Sequence, residues 1–258
     1  MRTKLYKIIV LIIISTLLNK ILVSCKEKNT ELKMIRGKQV EISADLEKDK
    51  DFIKEIEPYR KEMQARIKEV LCFNPRNLSR NETELESSLG NFYADACFKA
   101  GDSLFFIQTG SHIDFALFNY GGIRTEIPQG DVSVEHIFKL MPFENKLVAV
   151  KLSGERVSEL LSYLENRKQA HPVSGLKLTM KQNKLSRIQI GNKNFDKNRE
   201  YLVLTHDYLQ HGGDNMEFFK DPIALYPLEY KVRDVLIDHL KSIDTLSPSL
   251  DGRFTKID

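Results

Sequence analysis

The chain has 258 residues, 41% hydrophobic and 29% charged, ordinary proportions for a globular protein that can bury a full core without disulfide or metal staples. Its net charge of +3 is set by the N-terminus: residues 1–24 hold Arg2, Lys4, Lys7 and Lys20 and no acid, and subtracting those four charges leaves −1. The nearly neutral remainder carries no electrostatic footprint for nucleic acid, and no apolar run reaches the roughly 20 residues of a membrane-spanning helix.

In chain order, Lys4 and Lys7 precede an apolar run, Ile8 to Leu18, that Asn19-Lys20 interrupts. Basic residues followed by a short apolar stretch read as a secretory signal. Leu22-Val23-Ser24-Cys25 resembles a bacterial lipobox, in which the cysteine is acylated and becomes the first residue of the mature protein. On that reading residues 1–24 are the signal peptide, 25–36 a polar tether and 37–258 the folded domain. The protein is then exported and held by lipid in the cell envelope, at the outer membrane or its periplasmic face, since each buried CH2 contributes about 0.8 kcal/mol. The alternative is a plain signal peptide in which Cys25 stands by chance. Cys97 falls on a predicted helix and Cys72 near the end of another. That placement favours two separate buried thiols over the disulfide that an oxidising compartment would permit.

Gln39 to Ala44 alternates weakly and reads as a strand. Ile56, Tyr59, Met63, Ile67 and Val70 recur at helical spacing, which predicts an amphipathic helix over 53–71 with its stripe in the core and Pro58 in its first turn. Residues 73–86 are polar and loop-like. Ser87 or Ser88 caps a helix from Leu89 to Ala100, which Gly101 stops. The apolar run Ile113 to Phe118 reads as a buried strand. Asp114 within it must be hydrogen-bonded and is expected to support the turn that follows. Ser133 to Leu140 is a short helix ended by Met141-Pro142, and Lys146 to Leu152 is a strand. After Ser153-Gly154 a helix puts Val157, Leu160, Leu161 and Leu164 on one face. Residues 175–180, 185–190 and 200–205 are strands, with a turn at 192–194, and Tyr230 to Ile243 is the last helix. Helices alternating with hairpin-like strands predict a mixed-sheet α+β domain.

The chemistry concentrates after the strand 113–118. Asn119 and Gly121-Gly122 make a tight turn with a bare backbone, and Arg124 follows at once. Exposed backbone N–H groups beside a planar guanidinium suit a phosphate, a carboxylate or a purine edge; an ordinary turn with a solvated arginine is the alternative. Further on stand Leu140-Met-Pro-Phe143 and Thr205-His-Asp-Tyr208-Leu-Gln-His-Gly-Gly-Asp214. Together with Leu89-Gly90-Asn91-Phe-Tyr-Ala-Asp95-Ala and Asp251-Gly-Arg-Phe254, these motifs resemble, in order and spacing, the C-terminal domain of the 5'-nucleotidases, from about residue 37 to the end.

The resemblance implies a domain that binds a nucleoside or nucleotide, with Phe143 and Tyr208 sandwiching the base. It assigns Asp214 to the ribose hydroxyls, Asn119 and Arg124 to base and ligand contacts, and Gly121 and Gly122 to close backbone approach. Gly212 and Gly213 place Asp214 on a tight turn. Stacking on every base's π face contributes roughly 1–3 kcal/mol. The competing reading puts both rings in the core and makes Asp214 a helix cap. The sequence departs from the family in four places. Tyr208 replaces the commoner Phe, His206 stands where many members have Asn, and Asn215 stands where many have Gly. The arginine often found shortly before Gly90 has no counterpart nearer than Arg80.

In the family a separate metallophosphoesterase domain performs hydrolysis with divalent metals. Its Asp-x-His, Gly-Asn-His and Gly-His-x-His segments do not occur in these 258 residues, and the six histidines are scattered. No catalytic residue, metal ligand or cofactor is therefore expected of this chain, and the metals are expected in a separately encoded catalytic subunit. The expected role is the nucleotide-binding half of a 5'-nucleotidase-type phosphohydrolase in nucleotide catabolism. The alternatives are a free-standing nucleoside-binding lipoprotein and a structural lipoprotein with a decayed site.

Overall fold

The computed structural model describes residues 2–22 and 32–257, with side chains for 6–17 and 32–257. Two units are distinct along the chain, Met1–Lys50 and Asp51–Asp258. The first contains helix α1 (Arg2–Leu22), and residues 32–43 follow without regular structure. The strand expected over Gln39–Ala44 does not form: these residues are exposed and join none of the described sheets. A lone strand leaves its backbone groups to water, so a weak alternation gains nothing by extending. Cys25 and the cleavage region lie outside the described residues. No helix among the described residues is long and apolar enough to cross a membrane.

The second unit runs α2 (Lys50–Ile67), β1 (Val70–Asn74), α3 (Ser88–Thr109), β2 (Phe115–Leu117), β3 (Gly130–Ser133), α4 (Val134–Leu140), β4 (Lys146–Leu152) and α5 (Gly154–Arg167). There follow β5 (Val173–Ser174), β6 (Leu176–Lys181), β7 (Lys184–Ile190), β8 (Lys193–Asn194), β9 (Tyr201–His206), α6 (Asp207–Gln210), β10 (Ala224–Lys231), α7 (Val232–Lys241) and β11 (Phe254–Ile257). A five-stranded mixed sheet in the order β10-β4-β9-β2-β5 is central. Its β2–β9 pair is parallel and its other neighbours are antiparallel. A four-stranded sheet, β11-β6-β7-β8, and a β1-β3 pair complete the α+β domain.

Alternation along the central strands explains the layers. On β4, Leu147 and Ala149 face one apolar cluster with α3 and α7, while Val148, Val150 and Leu152 face a second with α5 and the four-stranded sheet. On β2, Ala116 goes to the first cluster and Phe115 and Leu117 to the second. Strands buried on both faces need continuous apolar runs, as 115–118 and 147–150 supply.

Helix α3 corrects its expected end. It is capped by the Ser87 side chain, as expected, but passes Gly101 and stops at Gly110, whose φ is 71°. Gly101 is a packing residue: a Cβ there would lie 2.7 Å from both Leu204 methyls, so glycine lets the helix settle on the sheet. The predicted helix 53–71 also changes. It starts at Lys50, so Pro58 lies inside it, and it ends at Ile67, leaving Val70 and Cys72 in β1. Its stripe is not core. No residue of α2 is buried, and Tyr59 and Met63 stay 74% and 57% exposed above an open trough shared with Val134, Phe138 and Ile237. The residues do share a face, but among the described residues no element buries it. Cys72 and Cys97 are separate, buried and free, and burial raises the pKa of both thiols.

Strand β10 has no counterpart in the sequence reading. Its exposure alternates and Pro227 interrupts its pattern, yet it pairs along the edge of the central sheet, Tyr226 opposite Ala149. Proline is tolerated there because an edge strand has one unpaired side.

Candidate functional site

Three chain segments converge beyond the ends of β2 and β9 and before β4. From β2 the backbone passes through Asn119 into a single 3-10 turn, Tyr120–Gly122. From β9 it passes through His206 into α6, which carries Tyr208. The loop from α4 brings Phe143 and Asn145. Asn119, Gly121, Gly122, Arg124, Phe143, Asn145, Tyr208 and Asp214 line one cleft of about 230 Å3.

The two rings are not core. Phe143 is 40% and Tyr208 47% exposed, beside neighbours such as Phe118 that are fully buried. Exposed aromatic faces beside a polar floor form a surface built for a flat ligand. Gly212 and Gly213 do not line the cleft. Gly213 lies against Tyr208, where a Cβ would fall 2.3 Å from ring carbon Cε1, and Gly212 lies against Lys220 and Glu217.

Beneath the rings runs a chain of hydrogen bonds. The Leu209 N–H donates to His206 Nδ1 at 3.4 Å, so Nε2 carries the proton of the neutral ring and donates to Asn119 Oδ1 at 3.3 Å. Asn119 Nδ2 donates to Asp214 Oδ2 at 2.5 Å, and the Tyr208 hydroxyl donates to Asp214 Oδ1 at 3.3 Å. Gly122 makes room: a Cβ there would meet Asn119 Oδ1 at 2.9 Å. Asp214 adopts the left-handed φ of 53°, and its carbonyl accepts from the Tyr163 hydroxyl at 3.0 Å. Complete burial of His206 pushes its pKa down to about 4, against an opposing pull from Asp207 and Asp214. His171 behaves alike: burial takes it to about 4, and its Nδ1 accepts from the Tyr120 N–H at 3.1 Å.

Other assigned residues take different places. Asp114 does not support the turn. It binds Arg199 Nη2 at 2.6 Å and accepts from the Leu202 N–H at 2.8 Å, joining β2 to the start of β9. Arg80 lies outside the cleft lining. Its guanidinium stacks 4.3 Å over the Tyr120 ring and donates to the Ile123 and Tyr120 carbonyls, bracing the turn from behind. Arg124 is exposed and donates to the Gly121 carbonyl at 3.3 Å, which leaves most of its fork free for an anion.

Residues 64–221 match the family described as 5'-nucleotidase, C-terminal domain. The chain belongs to that family. A 5'-nucleotidase-related protein of Glossina morsitans morsitans is 26% identical over 90% of this chain and 46% of its own length. The trifunctional nucleotide phosphoesterase protein YfkN of Bacillus subtilis is 30% identical over 67% of this chain and 12% of its own. The crystal structure of a 5'-nucleotidase precursor from Thermus thermophilus superposes with a TM-score of 0.68 at 23% identity, covering 81% of this chain and 43% of that one. The chain thus spans about half or less of the length of these relatives.

Within this 5'-nucleotidase C-terminal domain, sequence reasoning missed Asn145. It stands two residues after Phe143, just before β4, and lines the cleft with an amide that can both donate and accept. A polar residue between the Met-Pro-Phe motif and an apolar strand was the available signal. The histidines near the motifs make contacts with protein groups. His206 uses both ring nitrogens on protein groups, and His211 Nδ1 contacts the Asp207 carbonyl at 2.7 Å. Among the described residues no three His, Cys, Asp or Glu side chains are grouped to hold an ion.

Proposed function

We propose that the cleft binds a nucleoside or nucleotide, its base stacked between Phe143 and Tyr208 and its ribose diol donating to Asp214. The observation that carries this is the convergence of two exposed aromatic rings, a carboxylate, two amides and an exposed guanidinium around one small cleft. Its volume is below the roughly 300–1,000 Å3 of enclosed ligand pockets, which suits a slot that grips a flat ring and leaves the remainder of the ligand outside. Asp214 already accepts from Asn119 and Tyr208, but each carboxylate oxygen has a second lone pair for a hydroxyl. Arg124 supplies the cation for a phosphate.

The role is substrate binding for a 5'-nucleotidase-type phosphohydrolase in nucleotide catabolism. A separately encoded metallophosphoesterase holds the divalent metals and performs hydrolysis. Titrating the full chain with adenosine, AMP and UDP-glucose by calorimetry tests binding. In the same preparation AMP with added Mn2+ should remain intact, because among the described residues no three potential ligands are grouped to hold an ion. Turnover that survives repurification and is lost in His206 or His211 variants would overturn this division of labour. Binding that proceeds without stimulating any metallophosphoesterase would instead mark a nucleoside-capturing protein.

The N-terminal pattern supports export and anchoring through Cys25. Mass spectrometry of the membrane fraction should find the mature protein beginning at a diacylated or triacylated Cys25. An unmodified N-terminus at another residue would exclude the anchor.

A further inference from the structure

We propose that His206 is a positioning residue that locks the Asn119 side-chain amide, so that Asn119 meets a ligand only as a hydrogen-bond donor. The inference rests on the nucleoside reading of the cleft but concerns a residue outside its lining.

Both ends of the hydrogen-bond chain fix the same orientation. At one end Asp214 is a carboxylate, which can only accept, so the atom of Asn119 that meets its Oδ2 at 2.5 Å must be the NH2 nitrogen. At the other end the Leu209 N–H occupies His206 Nδ1, so Nε2 carries a proton and the atom it meets on Asn119 must be the carbonyl oxygen. Each end favours the same orientation, and together they hold both atoms of the amide. Gly122 leaves room for the oxygen in this position, since a Cβ there would stand 2.9 Å from it. Asn119 is 5% exposed and His206 fully buried, so water does not compete for these groups. What remains of Asn119 is its second N–H, held beside the acceptor Asp214. A ligand at this point must present an acceptor to Asn119 and a donor to Asp214. A heteroaromatic nitrogen or carbonyl next to a sugar hydroxyl meets that demand.

His206 performs two tasks that different substitutions separate. In His206→Asn the amide oxygen takes the place of Nδ1 and keeps the contact with the Leu209 N–H, but the donor to Asn119 is gone. In His206→Gln the terminal amide nitrogen reaches the place of Nε2 and keeps the donor, but the Leu209 contact is lost. Melting temperature and adenosine affinity are measured on the full chain for both. The expected result is a near-normal melting temperature and about tenfold weaker adenosine binding for His206→Asn. For His206→Gln the melting temperature falls while adenosine affinity stays close to wild type. Adding His206→Asn to Asn119→Ala should cost no further affinity, since the histidine acts through that amide. Additive losses, or unchanged binding by folded His206→Asn, would overturn the proposal.

A ligand-free readout keeps it distinct from the nucleoside reading. In nitrogen-edited NMR the two Asn119 amide protons should be widely separated and slow to exchange in wild type and in His206→Gln, and averaged in His206→Asn. If the wild-type chain binds no adenosine, the nucleoside reading fails while this spectrum still decides the lock. Identical Asn119 signals in all three proteins would refute it.

Discussion

Replacing Phe143 or Tyr208 by alanine should weaken adenosine binding about ten- to a hundredfold, a loss of roughly 1–3 kcal/mol for each ring, with little change in melting temperature. The two halves of that expectation have one cause. Both rings line the cleft and are 40% and 47% exposed, so they have much surface to give to a ligand and little packing to lose. A ring that is fully buried, such as Phe118, would behave oppositely and cost about 3–5 kcal/mol of stability on truncation. Tyr208→Phe should cost little, because the face persists and the lost hydroxyl only donates to Asp214 at 3.3 Å. Asp214→Asn should weaken ribose-bearing ligands and spare the free base. Measuring affinity and melting on the same variants separates site from core. Normal adenosine binding by a folded double alanine variant would end the stacking hypothesis.

The second large effect is acid lability between pH 6.5 and 4. His206 and His171 have folded-state pKa values of about 4, pushed down first by burial, against an ordinary 6.5. The unfolded chain therefore binds more protons in this window, and stability rises with pH. The contribution is complete above 6.5 and lost as pH falls toward 4. Each histidine contributes on the order of 3 kcal/mol at neutral pH. Asp207 and Asp214 face His206, and Asp214 and Arg167 face His171; none offsets the burial. His239 is half-buried and moves in the same direction to a lesser extent. Carboxylates with lowered pKa, such as Glu144 and Asp251, lose their contribution only as pH falls below the ordinary carboxylate range, so the upper part of the window isolates the histidines. Denaturant midpoints at pH 7.5, 6 and 5 should decline steadily, and the His206→Asn slope should be shallower. A midpoint that stays constant from pH 7.5 to 5 would contradict this. Adenosine binding should fail along with stability, because one histidine holds Asn119 and the other holds the Tyr120 N–H.

Strands with strong apolar runs were legible in the sequence because burial on both faces leaves a composition no surface segment shares; β2, β4 and β9 are examples. Helix α5 was legible because its apolar residues face one cluster. Where the reading went astray, local pattern and tertiary contact disagreed. Gly101 looked like a stop because glycine weakens a helix locally, yet Leu204 needed the space it leaves. The α2 stripe looked like core because periodicity reports which residues share a face and says nothing of what covers it. Pro227 hid β10, since proline argues against a strand unless that strand is an edge.

The sequence by itself determined that a glycine turn, a Met-Pro-Phe loop and a Tyr-to-Asp turn occur in a family-like order, and it named nine of the residues near the site, because motif spacing is a property of the chain. It could not show that seven of them would line one cleft with Asn145 while Gly212 and Gly213 would shape the Tyr208 turn instead. Those positions depend on β2, β4 and β9 lying side by side, which only the sheet's register decides. The orientation of the Asn119 amide was still less accessible. Its donors and acceptors come from residues 87 and 95 positions away, and only folding brings a buried imidazole to one side of the amide and a carboxylate to the other.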